Sequence, residues 1–218
     1  LGAEQGKRGY KHWQVRFRIS IDSIDVVRDM VQKMFEGAHI EECSDTWTYE
    51  CKERMHWTSE DRPETLQTRF GQPRENQKQA IERLRDQNDR QIDVWYDPKG
   101  NSGKSWLVNH LYETAQAHYT PPYLSNVKEV VQTVASLYLN VGWRDILVID
   151  IPRSWKWSKE LYTAIEAIKD GLIMETRYHP QPVNIRGVKV LVLCNTLPKL
   201  DALSMDRWRI NGETPALS

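Results

Sequence analysis

The sequence predicts a small α+β domain followed by an α/β domain built on a parallel sheet that carries a phosphate-binding loop. Three observations predict this. Tyr10 to Ile19 (YKHWQVRFRI) alternates strictly between apolar and polar residues, the period-2 signature of a strand. From Ile92 onward, short β-prone apolar runs alternate with helical segments, the pattern of a parallel sheet with helices on both faces. Between the first such run and the first such helix stands Asp97-Pro98-Lys99-Gly100-Asn101-Ser102-Gly103-Lys104-Ser105, a glycine turn of the phosphate-binding type.

Composition sets the limits. A chain of 218 residues allows one large or two small domains at roughly 150 residues each. Lys+Arg and Asp+Glu number 30 each, so the net charge is zero and any nucleic-acid site must be a local patch. The hydrophobic share is 39%, and no apolar run approaches the roughly 18 residues of a membrane span. Nine Trp and nine Tyr supply bulk for compact cores. Three cysteines (Cys43, Cys51, Cys194) form no C-x-x-C pair, which predicts no disulfide framework and a reducing compartment. The opening Leu1-Gly2-Ala3-Glu4 has neither Met nor a secretory leader, and the chain is expected to be a fragment at this end.

In the first strand, Trp13, Val15, Phe17 and Ile19 share one face, expected to be buried. His12, Gln14, Arg16 and Arg18 share the other, a polar working face. Ile24 to Phe35 has apolar residues at helical spacing behind Asp22 or Ser23 as N-cap. Residues 58–79, with Pro63, Gly71 and Pro73, have the composition of a linker and put a domain boundary near residue 71. Arg74 to Asn88 reads as a short charged helix with Ile81 and Leu84 as its apolar stripe. Ile92 to Tyr96 is a strand, Trp106 to Ala117 a helix, and Val127 to Leu139 another. Ile146 to Ile151 and Val188 to Cys194 are apolar runs of buried-strand length.

The loop carries the chemistry. Gly103-Lys104-Ser105 matches the end of G-x-x-x-x-G-K-[ST], with Pro98 in place of the first glycine. Gly100, Asn101, Ser102 and Gly103 would turn backbone N–H groups around a phosphate, and the following helix would point its positive end at the same place. Lys104 would reach the β- and γ-phosphates, and the Ser105 hydroxyl would ligate Mg²⁺. Asp150 ends an apolar strand, where a carboxylate can hold Mg²⁺ through water. Asn195 ends a third strand, placed to orient water or sense the γ-phosphate; equally, it can cap the turn toward Pro198.

In the N-terminal part, His12 and Gln14 project from one strand face, and Glu4 could add a carboxylate by folding back. Imidazole, amide oxygen and carboxylate suit Mg²⁺ or Mn²⁺ better than zinc, although an isolated His12 is equally an ordinary surface histidine. Tyr49 and Lys52 are three apart, one helix face, and a Tyr hydroxyl beside a metal and a cation can act as a nucleophile toward a phosphodiester. Tyr49 can also pack with Trp47 and Trp57. His39, Cys43, Cys51 and His56 are zinc-ligand types, but their spacing fits no compact finger. Basic and aromatic residues interleave in Lys7–Arg18 and in Arg153-Ser154-Trp155-Lys156-Trp157-Ser158-Lys159, a composition suited to single-stranded nucleic acid or to a solvated face.

In order along the chain, His12-Trp13-Gln14, Tyr49-x-x-Lys52, the 97–105 loop, Asp150 and Asn195 resemble the replication initiator (Rep) proteins of small circular single-stranded DNA viruses. Asn88 to Ile92, Val94 to Asp97 and Gly100 to Trp106 look closest to the smacovirus branch. The resemblance covers nearly the whole chain. It implies an HUH endonuclease domain with an antiparallel sheet over 1–70, a linker or oligomerisation helix over 71–90, and an AAA+-like superfamily 3 helicase ATPase over 91–218. It further implies Glu4, His12 and Gln14 as metal ligands and Tyr49, helped by Lys52, as the residue that nicks DNA and stays attached to its 5′ phosphate. Lys104, Ser105, Asp150 and Asn195 would serve ATP hydrolysis. Arg207, in Leu203-Ser204-Met205-Asp206-Arg207-Trp208, would be an arginine finger reaching a neighbour's ATP. The implied cofactors are ATP with Mg²⁺ or Mn²⁺, and the implied partners are single-stranded DNA, an origin hairpin, further subunits of a hexamer and host replication machinery. The implied location is the host cell interior, the nucleus where the host is eukaryotic. The family's first motif lies before residue 1, so the nuclease sheet is expected to be incomplete; with no second acid after Asp150, the group that activates the hydrolytic water is not identified. The rival expectation is a P-loop ATPase with a non-catalytic DNA-binding N-terminal domain.

Overall fold

The computed structural model describes residues 1–5, 9–18, 20, 23–43, 55–122, 124, 126–177 and 180–211. The chain divides into two compact units, Leu1–Asp61 and Arg62–Ser218.

In the first unit, β1 (Gly2–Gln5) pairs antiparallel with β2 (Lys11–Gln14), in a register that sets Gly2 opposite Gln14 and Glu4 opposite His12. Residues 55–57 flank the other edge of β1: Ala3 N donates to Met55 O and Trp57 N to Leu1 O, both at 2.8 Å. Helix α1 (Ile24–Met34) starts behind Ser23, whose backbone is extended, as an N-cap residue requires. The strand is shorter than its alternation predicts, and its apolar face is the open one. Trp13, Val15 and Phe17 are 64%, 58% and 51% exposed, whereas His12 and Gln14 are half-buried. Alternation sorts side chains between two faces; it does not say which face is covered.

The second unit contains α2 (Pro63–Phe70), α3 (Glu75–Asp86), β3 (Ile92–Tyr96), α4 (Lys104–Glu113), β4 (Ala117–Thr120), α5 (Val127–Asn140), β5 (Ile146–Asp150), α6 (Lys159–Asp170), β6 (Leu172–Glu175), β7 (Gln181–Asn184), β8 (Lys189–Cys194) and β9 (Trp208–Ile210). The stretch with linker composition thus contains α2, and the helix expected over Arg74–Asn88 is α3. Proline does not oppose α2: Pro63 is at its first position, where the missing N–H would be unpaired anyway.

Five strands form one parallel sheet in the order β4-β5-β8-β3-β9. Consecutive side chains alternate between its faces. Val94, Leu147, Ile149, Val190 and Val192 join the core under α5 and α6, with Val134, Ile165 and Ile168. Trp95, Ile146, Val148, Leu191 and Leu193 join Leu84, Leu107 and Leu111 of α3 and α4 on the other side. Each such aliphatic side chain contributes roughly 1.5–3 kcal/mol by leaving water, which explains why these strands read as uninterrupted apolar runs. An antiparallel β6–β7 hairpin connects α6 to β8.

At the end of the sheet where β3 and β8 begin, a buried polar knot closes the layers. Gln87 donates through Nε2 to Asp93 Oδ2 (2.6 Å) and Val190 O (2.9 Å), and its Oε1 accepts from Val190 N (2.7 Å) and Lys169 Nζ (2.8 Å). Lys169 also donates to Val188 O at 2.8 Å, and Arg209 forms a two-pronged ion pair with Asp93. Each of these buried groups has a partner, the condition for tolerating polarity inside.

Candidate functional site

The opposite end of the sheet, where the strands finish, gathers the predicted phosphate chemistry. Register pairs Tyr96 with Cys194 and Asp150 with Leu193, so the ends of β3, β8 and β5 lie side by side. Neighbouring strands are about 4.8 Å apart; β8, in the middle, carries Asn195 between the loop and Asp150.

After Tyr96 the chain makes a tight turn in which Gly100 (φ 84°), Asn101 (φ 65°) and Gly103 (φ 88°) are left-handed. Glycine adopts this without a Cβ penalty, and asparagine tolerates it better than most residues. Asp97 fastens the turn from inside: Oδ1 accepts from Gly100 N at 2.7 Å and Oδ2 from the Ser102 hydroxyl at 2.6 Å. The Ser102 bond foremost, with Gly100 N–H and the Lys104 charge, lowers the Asp97 carboxyl to about 2. Lys104 Nζ lies 3.5 Å from Asp97 Oδ2 and donates to Cys194 O at 3.3 Å. Helix α4 begins at Lys104 with Gly103 as N-cap, so its positive end and first-turn Ser105 adjoin the turn.

Asp150 is half-buried at the end of β5, and burial raises its pKa against the opposing effects of the Tyr119 hydroxyl and the Lys104 charge. The Tyr119 hydroxyl donates to Asp150 Oδ2 at 3.4 Å. Asn195 Nδ2 donates to Asp97 O at 2.5 Å, which ties β8 to the base of the turn. The structure therefore brings Gly100, Asn101, Ser102, Gly103, Lys104, Ser105, Asp150 and Asn195 to one edge.

It does not bring Arg207 there. Trp208 pairs with Ile92, the first residue of β3, whereas the turn starts past Tyr96, about 13 Å further along at 3.3 Å per residue. Arg207 is 6% exposed and ion-paired with Glu166 (3.2 Å) and Asp170 (3.0 Å) of α6. In this chain the buried, doubly paired arginine acts as a clamp between its own elements.

Several features near the turn carry no local sequence signal. Gln77 Nε2 donates to Gly103 O at 2.8 Å and Asn76 Nδ2 to Ser102 O at 3.1 Å, so α3 braces the turn from 26 residues away. Arg153 Nη2 reaches Lys99 O at 3.5 Å. The aromatic part of the Arg153–Lys159 stretch serves the core: Trp157 stacks on Tyr162 at 5.1 Å and donates to Thr196 O at 2.8 Å, and Trp155 packs against the core. Both indoles are thus partly buried against the core.

In the first unit, Glu4 Oε2 lies 3.2 Å from His12 Nε2, and Tyr10 stacks over the imidazole at 5.8 Å. Gln14 follows His12 on the same strand face. His12 Nδ1 is buried with no hydrogen-bond partner among the described residues. A carboxylate and an imidazole facing each other, with an amide on the same face, fit a hard divalent cation. Tyr49, Lys52 and Cys51 lie outside the described residues. His39 instead approaches Glu41 at 3.5 Å, and among the described residues no three His, Cys, Asp or Glu side chains cluster as a metal site. Nor, among them, is any helix long and apolar enough to cross a membrane.

With this geometry in place, comparison with known proteins points one way. The chain is similar to viral master replication proteins. It is 33% identical over 118 residues to the master replication protein of Banana bunchy top virus, covering 54% of this chain and 38% of that protein. It is 24% identical over 170 residues to the master replication protein of Subterranean clover stunt virus, covering 78% and 56%. It is 31% identical over 139 residues to Para-Rep C6 of Subterranean clover stunt C6 alphasatellite, covering 62% and 45%. The chain spans about half the length of the curated relatives it matches. No family model and no solved structure matches it.

Proposed function

We propose that this chain belongs to a rolling-circle replication initiator of a circular single-stranded DNA virus, an HUH endonuclease joined to a superfamily 3 helicase; the run from Asn88 to Trp106 favours the smacovirus branch. The observation that carries the reading is the glycine turn between β3 and α4, with Lys104 and Asp150 at the same sheet edge, in a chain similar to viral replication proteins. The second unit would bind ATP at this turn. Lys104 would leave Asp97 for the β- and γ-phosphates, Ser105 and Asp150 would hold Mg²⁺, and Asn195 would keep the turn in register with β8.

The first unit would nick and rejoin DNA. Glu4, His12 and Gln14 would hold Mg²⁺ or Mn²⁺, which when bound neutralises charge on the scissile phosphate. The Tyr49 oxygen would bond to phosphorus while the bond to the 3′ oxygen breaks, leaving a 3′ hydroxyl and a 5′ phosphotyrosine; Lys52 would assist, and reversal would rejoin the strand. Single-stranded DNA and an origin hairpin would be the substrates. A hexamer, host replication machinery and the host interior, the nucleus in a eukaryote, complete the proposal.

Two measurements test it. Purified protein should hydrolyse ATP with Mg²⁺, and Lys104→Ala should abolish this; unchanged turnover would remove the ATPase half. With Mn²⁺ and an origin hairpin, wild-type protein restored to full length should form a covalent DNA adduct that Tyr49→Phe lacks. Turnover without any adduct would favour a P-loop ATPase with a non-catalytic DNA-binding N-terminal domain.

A further inference from the structure

We propose that Arg153 is a second phosphate-binding cation of the nucleotide site, supplied by the same chain, that contacts the terminal phosphate of ATP. The inference rests on the nucleotide reading of the 97–105 turn and goes beyond it by naming a residue outside the phosphate-binding motif. Arg153 lies three residues past Asp150, in a turn closed by Trp155 N donating to Pro152 O at 3.0 Å. That turn lays its side chain across the glycine loop: Nη2 is 3.5 Å from Lys99 O, and a Cβ built on Gly100 would stand 2.9 Å from the same nitrogen. The guanidinium therefore occupies the space that a side chain at position 100 would fill. Gly100 is required for its positive φ, whereas the guanidinium beside it is the flexible end of a side chain that could shift.

Lys104 enters the loop from its second half, where α4 starts; Arg153 covers the first half. The Lys99 carbonyl, at the outer limit of hydrogen-bonding distance, engages one of five guanidinium N–H donors. A planar, permanently charged fork with free donors suits phosphate oxygens. Arg207, by contrast, is buried and locked by two carboxylates of α6. During hydrolysis the water oxygen bonds to the γ-phosphorus and the bond to the β–γ bridging oxygen breaks, its electron pair staying on ADP. Both protons of that water leave with inorganic phosphate, released as dihydrogen phosphate. Charge grows on the γ-phosphoryl and bridging oxygens, and a cation fixed beside them binds the transition state more strongly than the ground state.

The test uses the purified chain with Mg²⁺ and compares wild type, Arg153→Ala and Arg153→Lys. ATP and ADP affinities are read by competition against a fluorescent adenine nucleotide, alongside turnover and the thermal midpoint. Arg153→Ala should keep ADP affinity within about twofold while ATP affinity and kcat each fall roughly tenfold or more, the scale of a lost charged hydrogen bond. Arg153→Lys should recover part of the ATP affinity. Equal losses for ATP and ADP, or no loss for either, would overturn the proposal and leave Arg153 as packing on the loop. If wild type binds neither nucleotide, the nucleotide reading itself fails and takes this one with it. If wild type binds both and the variants match it, only the assignment of Arg153 falls.

Discussion

Asp97 and Lys169 are buried charges at opposite ends of one sheet, and each makes stability rise with pH over its own interval. Asp97 is held at about 2, below its ordinary 3.8, by the Ser102 hydroxyl, the Gly100 N–H and Lys104. Its folded form releases the proton more readily than the unfolded one. It contributes stability that is full above pH 3.8 and is lost as pH falls through about 2. Asp97→Asn should lower stability at neutral pH by roughly 1–3 kcal/mol and flatten the acid limb; an acid unfolding curve identical to wild type would refute the bracing role. Lys169 acts in the alkaline range. Burial lowers it to about 8 from 10.5, so across that interval the unfolded chain binds more protons and stability rises with pH. Urea titrations at pH 8 and 10 should show this rise in wild type and a smaller one in Lys169→Met.

At the level of elements, the brace from α3 decides how firmly the loop is held. Gln77 is 1% exposed and bonds both Gly103 O and, through its Oε1, Arg74 N. Gln77→Ala should cost about 1–3 kcal/mol, because it leaves buried polar groups unpaired, and it should weaken nucleotide binding more than surface substitutions on α3 do. Calorimetry and nucleotide titration read the two effects separately. Gly71 closes the junction between α2 and α4: an added Cβ would lie 2.3 Å from Gln67 O and 2.9 Å from the Trp106 ring. Gly71→Ala should therefore lower the thermal midpoint measurably, and a midpoint equal to wild type would show that the junction yields freely. Elements with a strong local pattern are legible in the sequence alone: β3, β5 and β8 as apolar runs, α1, α3 and α5 as periodic ones. What escapes depends on distant partners. Residues 58–79 have loop composition, yet α2 forms because Arg69 meets Glu113 at 2.8 Å and His110 meets Thr68 O at 2.8 Å on α4. The short β4, β6, β7 and β9 have too few residues to show a period.

For the molecule as a whole, the proposed phosphate site is legible because one contiguous motif suggests it, and the sheet order brings Asp150 and Asn195 to the same end. Arg153, Gln77 and Tyr119 are not legible as site residues, since only tertiary folding brings them there. Arg207 lies in a local signature, whereas its ion-pair partners Glu166 and Asp170 are supplied by a different element. The placement of β8 has one more consequence. It pairs with β5 and β3 along both edges, is covered on both faces, and is fastened by Gln87 at its start and Asn195 at its end. A strand fixed on every side has no way to open by itself. Deuterium should therefore enter the amides of Leu191 to Leu193 only when the entire second unit comes apart, and their uptake rate would serve as a gauge of its global free energy, unmoved by local fraying elsewhere.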